Sequence, residues 1–149
     1  MKKFFYLAIM AFVTLGMTAC GDDNEGSTPS GTSGLVGSEW VYSESESEMY
    51  EGVTYEYTVA ITIKFLTAST GSLVYDMSAT ANGTPAFSES DSEDFTYTYD
   101  GSGSGTMSAV DEETGEIDTI PFTINGNELT ISDYDEETGE MMTIVFTRK

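Results

Sequence analysis

Tyr55, Tyr57, Val59, Ile61, Ile63 and Phe65 stand at successive odd positions, with Glu56, Thr58, Ala60, Thr62 and Lys64 between them. A strict period of two puts one face of an extended segment in a core and the other in water, and a helix does not satisfy it. The pattern returns in Leu73, Tyr75, Met77 and Ala79 and in Phe95, Tyr97 and Tyr99. It returns again in Ile120, Phe122 and Ile124, in Leu129 and Ile131, and in Met142, Ile144 and Phe146. Thr, Tyr, Val and Ile are common throughout, as strands prefer. The alternation predicts strands over 39–45, 54–66, 72–80, 94–100, 104–110, 117–124, 128–133 and 141–148.

The breaks between these segments are turn chemistry. Ile124-Asn125-Gly126-Asn127 reads as an Asn-Gly hairpin, and Asp100–Gly103 and Ser69–Ser72 as further turns. The hexapeptide DEETGE occurs at 111–116 and 135–140, each copy with Gly where a type I turn with a G1 bulge needs a left-handed residue. Two copies make a duplicated hairpin, not a repeat fold. Short connections between consecutive strands imply an all-β, eight-stranded antiparallel up-and-down meander. Such a meander can close into a barrel whose interior is filled by side chains or holds one small ligand. Pro121 lies inside the sixth strand and has no N–H for a ladder bond. It requires a bulge or a free edge, so an open barrel or β-sandwich is the alternative.

Charge narrows function. The 149 residues carry 26 Asp and Glu against 5 Lys and Arg, a net charge of −21, with no His and one Cys. Ser–His–Asp and Cys–His catalysis, His-ligated zinc and an internal disulfide are excluded. No nucleic-acid partner is expected, because phosphate contacts need clustered Lys and Arg. No enzyme is expected either. Paired carboxylates can run glycoside hydrolysis, but acids in exposed loops do not acquire the split pKa values it needs.

The start of the chain reads as an address. Lys2 and Lys3 precede an apolar run from Phe4 to Val13 and then small residues up to Cys20, the pattern of a secretory signal peptide. The run is too short to span a bilayer. Met17-Thr18-Ala19-Cys20 resembles a bacterial lipobox, with Met where Leu is usual. The resemblance implies cleavage before Cys20 and acylation of that residue, with more than one acyl chain for a stable anchor. The expected division is a signal peptide at 1–19, an acylated Cys and flexible tether at 20–34, and a β domain at 35–149. The acids just after Cys20 resemble the export signal of surface lipoproteins in Bacteroidota-type bacteria, which implies an outer-membrane anchor in the cell envelope.

Leu35-Val36-Gly37-Ser38-Glu39-Trp40, the FTYTYDG stretch at 95–101 and the ending Phe146-Thr147-Arg148-Lys149 resemble lipocalin-like domains of small Bacteroidota-type lipoproteins. The Gly-x-Trp opening carries one extra residue here. The resemblance implies a lipocalin-like barrel.

Parity places Trp40, Tyr42, Tyr57, Phe65, Tyr75, Tyr97 and Tyr99 on one side of the sheet, as a candidate pocket for a small apolar or sugar-like ligand or as an ordinary core. A carboxylate-headed ligand is disfavoured, because only Lys64 could meet its charge and its parity points outward.

A meander also sorts the acids. Connections one, three, five and seven share an end and carry Glu44, Glu46, Glu48 and Glu51; Glu89, Asp91, Glu93 and Asp94; and the two DEETGE tips. The tether leaves from the other end. This acidic crown serves solubility, or captures a basic partner or Ca²⁺, with Asp91, Glu93 and Asp94 as candidate metal ligands. Glu44, Glu46 and Glu48 share parity with Trp40 and Tyr42. Either the first hairpin projects beyond the barrel and sets these carboxylates opposite Tyr55 and Tyr57, or a bulge near Ser43 turns them outward. The expected function is a non-enzymatic, lipid-anchored binding lipoprotein. The alternative is a structural or interaction subunit of a surface assembly.

Overall fold

A computed structural model of the protein describes residues 34–110, 114–134 and 141–149. The expected signal peptide, Cys20, nearly all of the expected tether, the first three residues of one DEETGE copy and all of the other lie outside the described residues. Eight strands follow one another: β1 (Glu39–Tyr50), β2 (Val53–Phe65), β3 (Thr70–Ala81), β4 (Thr84–Tyr99), β5 (Ser104–Val110), β6 (Ile117–Asn125), β7 (Glu128–Tyr134) and β8 (Met141–Arg148). Each pairs antiparallel with the next, and β1 pairs with β8, so the meander closes into a barrel. The open and sandwich alternatives are set aside. Pro121 sits just beyond the β6–β7 ladder, which runs from Phe122 to Asn125, so its missing N–H interrupts no bond on that side.

The first and third hairpins are longer than expected. β1 and β2 pair without interruption from Glu39↔Lys64 to Tyr50↔Val53. The turn is Glu51-Gly52, both with positive φ (50° and 82°), the two-residue form whose twist suits a hairpin. β4 begins at Thr84, ten residues before the expected start, after Asn82-Gly83 (φ 49° and 75°). A bulge at Ala79/Thr80 leaves Ala86 as the extra residue. Glu89, Asp91, Glu93 and Asp94 therefore belong to a paired strand and not to a loop. The Asn-Gly hairpin is also recentred. Asn125 pairs with Glu128, and Gly126-Asn127 makes the turn with φ 60° at Gly126.

The core fills the lower part of the barrel, the end where Gly34 and Lys149 lie. Phe65 is fully buried at its centre, with ring centroids 4.7 Å from Tyr97, 5.7 Å from Phe122 and 5.8 Å from Phe95. Tyr99 stacks on Phe122 at 6.2 Å. Two of these rings lie over glycines directly opposite them, Phe95 over Gly71 and Phe122 over Gly105. Leu35 tucks under the core, fixed by Ser38 N–H donating to its carbonyl at 2.9 Å and Gly37 N–H donating to Phe65 O at 2.7 Å.

The outer surface of the barrel is hydroxylated. Thr98 faces Thr106 at 2.8 Å, Ser108 faces Thr119 at 2.9 Å and Ser132 faces Thr143 at 3.1 Å, each pair directly cross-strand. The turn below β4 is held by Asp100, whose carboxylate accepts from Ser102 N–H (2.7 Å), Ser102 Oγ–H (2.7 Å) and Ser104 N–H (3.0 Å). The Ser102 hydroxyl and then the backbone N–H groups hold its pKa down to about 2, against an ordinary 3.8. A carboxyl depressed on folding stabilises the fold above its unfolded pKa, and that contribution fades as the pH falls through about 2. Carboxyl NMR titration should find Asp100 still ionised at pH 3, where ordinary carboxylates are mostly protonated. A normal titration would show that the turn bonds do not form.

Tyr99 presents the opposite case. It is buried, and its hydroxyl has no hydrogen-bond partner among the described residues. A buried hydroxyl without a partner costs about 1–3 kcal/mol, so Tyr99→Phe should leave stability unchanged or raise it by about 1 kcal/mol in urea unfolding. A loss of that size would mean the hydroxyl is bonded after all.

Candidate functional site

The barrel has a tall wall and a low wall. β1 to β4 run 12, 13, 12 and 16 residues, whereas β5 to β8 run 7, 9, 7 and 8. The walls join through two short seams. Among the described residues, β4 meets β5 only from Thr96 to Tyr99, and β1 meets β8 only at Trp40↔Arg148 and Val41↔Thr147. Above these seams the inner face of the tall wall stands open.

The cross-strand register reads that face row by row. Trp40, Ile63, Leu73 and Glu93 form one row, and Tyr42, Ile61, Tyr75 and Asp91 the next. Above them come Glu44, Val59, Met77 and Glu89, then Glu46, Tyr57, Ala79 and Phe87. The middle strands supply apolar and aromatic side chains at every level. The outer strands supply carboxylates from the Glu93 row upward, with Phe87 on β4 opposite Ala79. Exposure follows the same gradient, since Ile63 is fully buried whereas Tyr57 is 37% and Phe87 44% exposed. Tyr55 and Tyr57 stack with centroids 6.4 Å apart.

The seven candidate pocket residues divide between two tiers. Trp40, Phe65, Tyr97 and Tyr99 are buried in the packed lower core. Tyr42, Tyr57 and Tyr75 lie higher on the tall wall, and Tyr57 is open to solvent. The Tyr42 hydroxyl donates to Glu44. Burial first, and then that carboxylate, push its pKa up to about 12. Burial and the Glu89 charge raise Tyr75, and burial raises Tyr97. These phenols remain neutral hydrogen-bond donors across the physiological range.

The pleat separates the candidate metal ligands. Asp91 and Glu93 share the inner face with Phe95, but Asp94 is on the outer face. There it helps line a groove of about 380 Å³ with Leu66, Thr70, Val110 and Ile117. No group of three carboxylates among the described residues is placed to hold a metal ion. No described helix is long and apolar enough to cross a membrane.

The lower end gathers the described cations around Glu39. Lys149 Nζ donates to Glu39 at 2.9 Å, Lys64 pairs with Glu39 across the ladder, and the Arg148 guanidinium lies 5.6 Å from the centre of the Trp40 ring. The Lys149 hydrogen bond and the two lysine charges hold the Glu39 carboxyl below its ordinary pKa. Trp40 Nε1–H donates to Ser38 Oγ at 2.9 Å, and Ser38 Oγ–H donates to Leu35 O at 2.6 Å. Positive charge thus sits where the described chain begins, and carboxylates at the open end.

No known protein family, curated protein or solved structure matches the chain. The site is therefore argued from its own geometry. Sequence reasoning missed Met77, Phe87 and the acids of β4 as parts of one surface. The Asn82-Gly83 turn was the signal that joins them.

Proposed function

We propose that this chain is a non-enzymatic, lipid-anchored binding module of the bacterial cell envelope, a lipocalin-like barrel that takes its ligand at the open mouth. The carrying observation is the two-tier inner face. The lower tier is packed shut, whereas the upper tier presents partly exposed aromatic side chains on a paired sheet. An aromatic surface with a few hydroxyl donors suits a small apolar or sugar-like ligand that stacks on Tyr57.

The barrel's polarity supports the anchor. Its packed lower interior is apolar and its outside carries Ser and Thr ladders, the reverse of a barrel that spans a membrane. Membrane attachment then falls to the acylated Cys20, with outer-membrane placement and the mouth directed away from the bilayer. Labelled palmitate should enter the wild-type protein in a bacterial host and not the Cys20→Ala variant. Equal labelling would remove the anchor.

Binding is tested on residues 21–149, a fragment containing every strand of the closed barrel. Phenyl β-glucoside and neutral Nile red are the probes. Either should shift the NMR signals of Tyr57 and Met77 saturably, with weaker binding in Tyr57→Ala. No shift at the tall wall with either probe would count against a small-ligand seat. The second reading, an interaction subunit, is favoured by Met49 and Tyr50, which are 76% and 64% exposed at the tip of the first hairpin.

A further inference from the structure

The tall wall's open face combines an apolar floor with charged sides. Its floor is Tyr55, Tyr57, Met77 and Phe87, of which Tyr57 and Phe87 are exposed. Its sides are carboxylates on the two outer strands, Glu44, Glu46 and Glu48 on β1 and Glu89 and Asp91 on β4. Same-face residues of a strand repeat about every 7 Å, and three strand spacings set the two rows about 14 Å apart along the curved sheet. The three described cations lie at the opposite end, around Glu39. On this face the carboxylates are spread along two strands rather than focused at a point.

We infer that this face receives a basic peptide, a segment that carries Lys or Arg together with apolar residues. The inference rests on the mouth being the binding seat and names what it prefers. The peptide's cationic side chains meet the two rows, and its apolar side chains settle on the tyrosines and Met77. Arg stems and guanidinium planes also suit the Tyr55–Tyr57 stack. A small polycation could neutralise the rows but would leave the exposed aromatic floor uncovered. A neutral apolar ligand would cover the floor and leave the rows unneutralised.

Inward-pointing charge also guards a free strand edge against pairing with other chains. Edge protection requires neither a basic occupant nor an exposed aromatic floor between the rows, so binding separates the two roles.

The test uses the 21–149 fragment and three decapeptides of paired residues, Arg-Arg-Leu-Leu repeats for Arg-Leu and likewise for Ser-Leu and Glu-Leu, with spermine as the small polycation. Tall-wall NMR shifts and calorimetry follow binding. The Arg-Leu peptide should bind one-to-one and shift Tyr55, Tyr57 and Met77, at least about tenfold more tightly than Ser-Leu, and weaken with salt. Glu46→Gln/Glu48→Gln/Glu89→Gln/Asp91→Asn should lose about tenfold or more of that affinity. Glu51→Gln/Asp76→Asn/Glu116→Gln/Glu128→Gln removes the same number of charges away from the inner face and should keep it. Equal losses in the two variants would overturn the proposal in favour of bulk charge. Ser-Leu binding as tightly at the tall wall would overturn the basic occupant while leaving the mouth as a seat. Spermine producing the same shifts with the same affinity would overturn the peptide. No tall-wall shift with any probe would overturn both the inference and the seat on which it rests.

Discussion

Replacing Trp40 with Ala should cost the barrel about 3–5 kcal/mol, the range for emptying a buried aromatic site. The ring is fully buried and its Nε1–H holds Ser38, which in turn holds the carbonyl of Leu35. It also carries the Arg148 guanidinium beside the two-pair seam that closes β1 on β8. Truncation therefore opens a cavity and loosens the seam together. Trp40→Phe keeps most of the volume and loses one hydrogen bond, so its cost should be nearer 1–2 kcal/mol. Urea midpoints of the two variants decide the matter, and near-equal values would mean that packing is not what Trp40 contributes.

Gly105→Ala should destabilise by about 2–3 kcal/mol, although it adds a single methyl group to a strand. A Cβ at that position would lie 2.6 Å from Cε1 of Phe122, and closer still to its Cζ and to the Thr98 carbonyl. The ring has no room to yield, since Tyr99 stacks on it and Phe65 stands 5.7 Å away. Gly71 is in the same position, with Phe95 Cε2 at 2.7 Å from the site of a Cβ. If the clash is the cause, Gly105→Ala combined with Phe122→Leu will be less destabilised than the sum of the two single changes. Additive behaviour would point instead to the backbone.

Such positions show where the sequence stops being readable. Alternation located all eight strands, because a half-buried strand writes its period directly into the chain. It did not reveal that Gly71 lies under Phe95 or Gly105 under Phe122, because that depends on the register between strands. The long hairpins were legible but outweighed. Glu46 to Glu48 and Ser88 to Glu93 read as solvated loop by composition, yet their acids keep the parity of the core residues next to them, and Asn82-Gly83 marks the turn between β3 and β4. The same period separates Asp94 from Asp91 and Glu93 as metal ligands. The aromatic stripe indicated one side of the sheet correctly but could not divide it. Where Trp40, Phe65, Tyr97 and Tyr99 pack together and where Tyr57 emerges is set by the point at which the low wall ends.

The unequal walls have a mechanical consequence. The described chain begins at Gly34, below the barrel, whereas the open face lies above it. A pull between a tether at the bottom and a partner at the top runs lengthwise through β1, whose twelve cross-strand pairs with β2 would have to slip together. Strands loaded along their length yield far less readily than strands peeled apart one bond at a time. The longest unbroken ladder, from the start of β1 to the rim, therefore stands in the line of such a tension, and the two-pair seam to β8 lies beside that line.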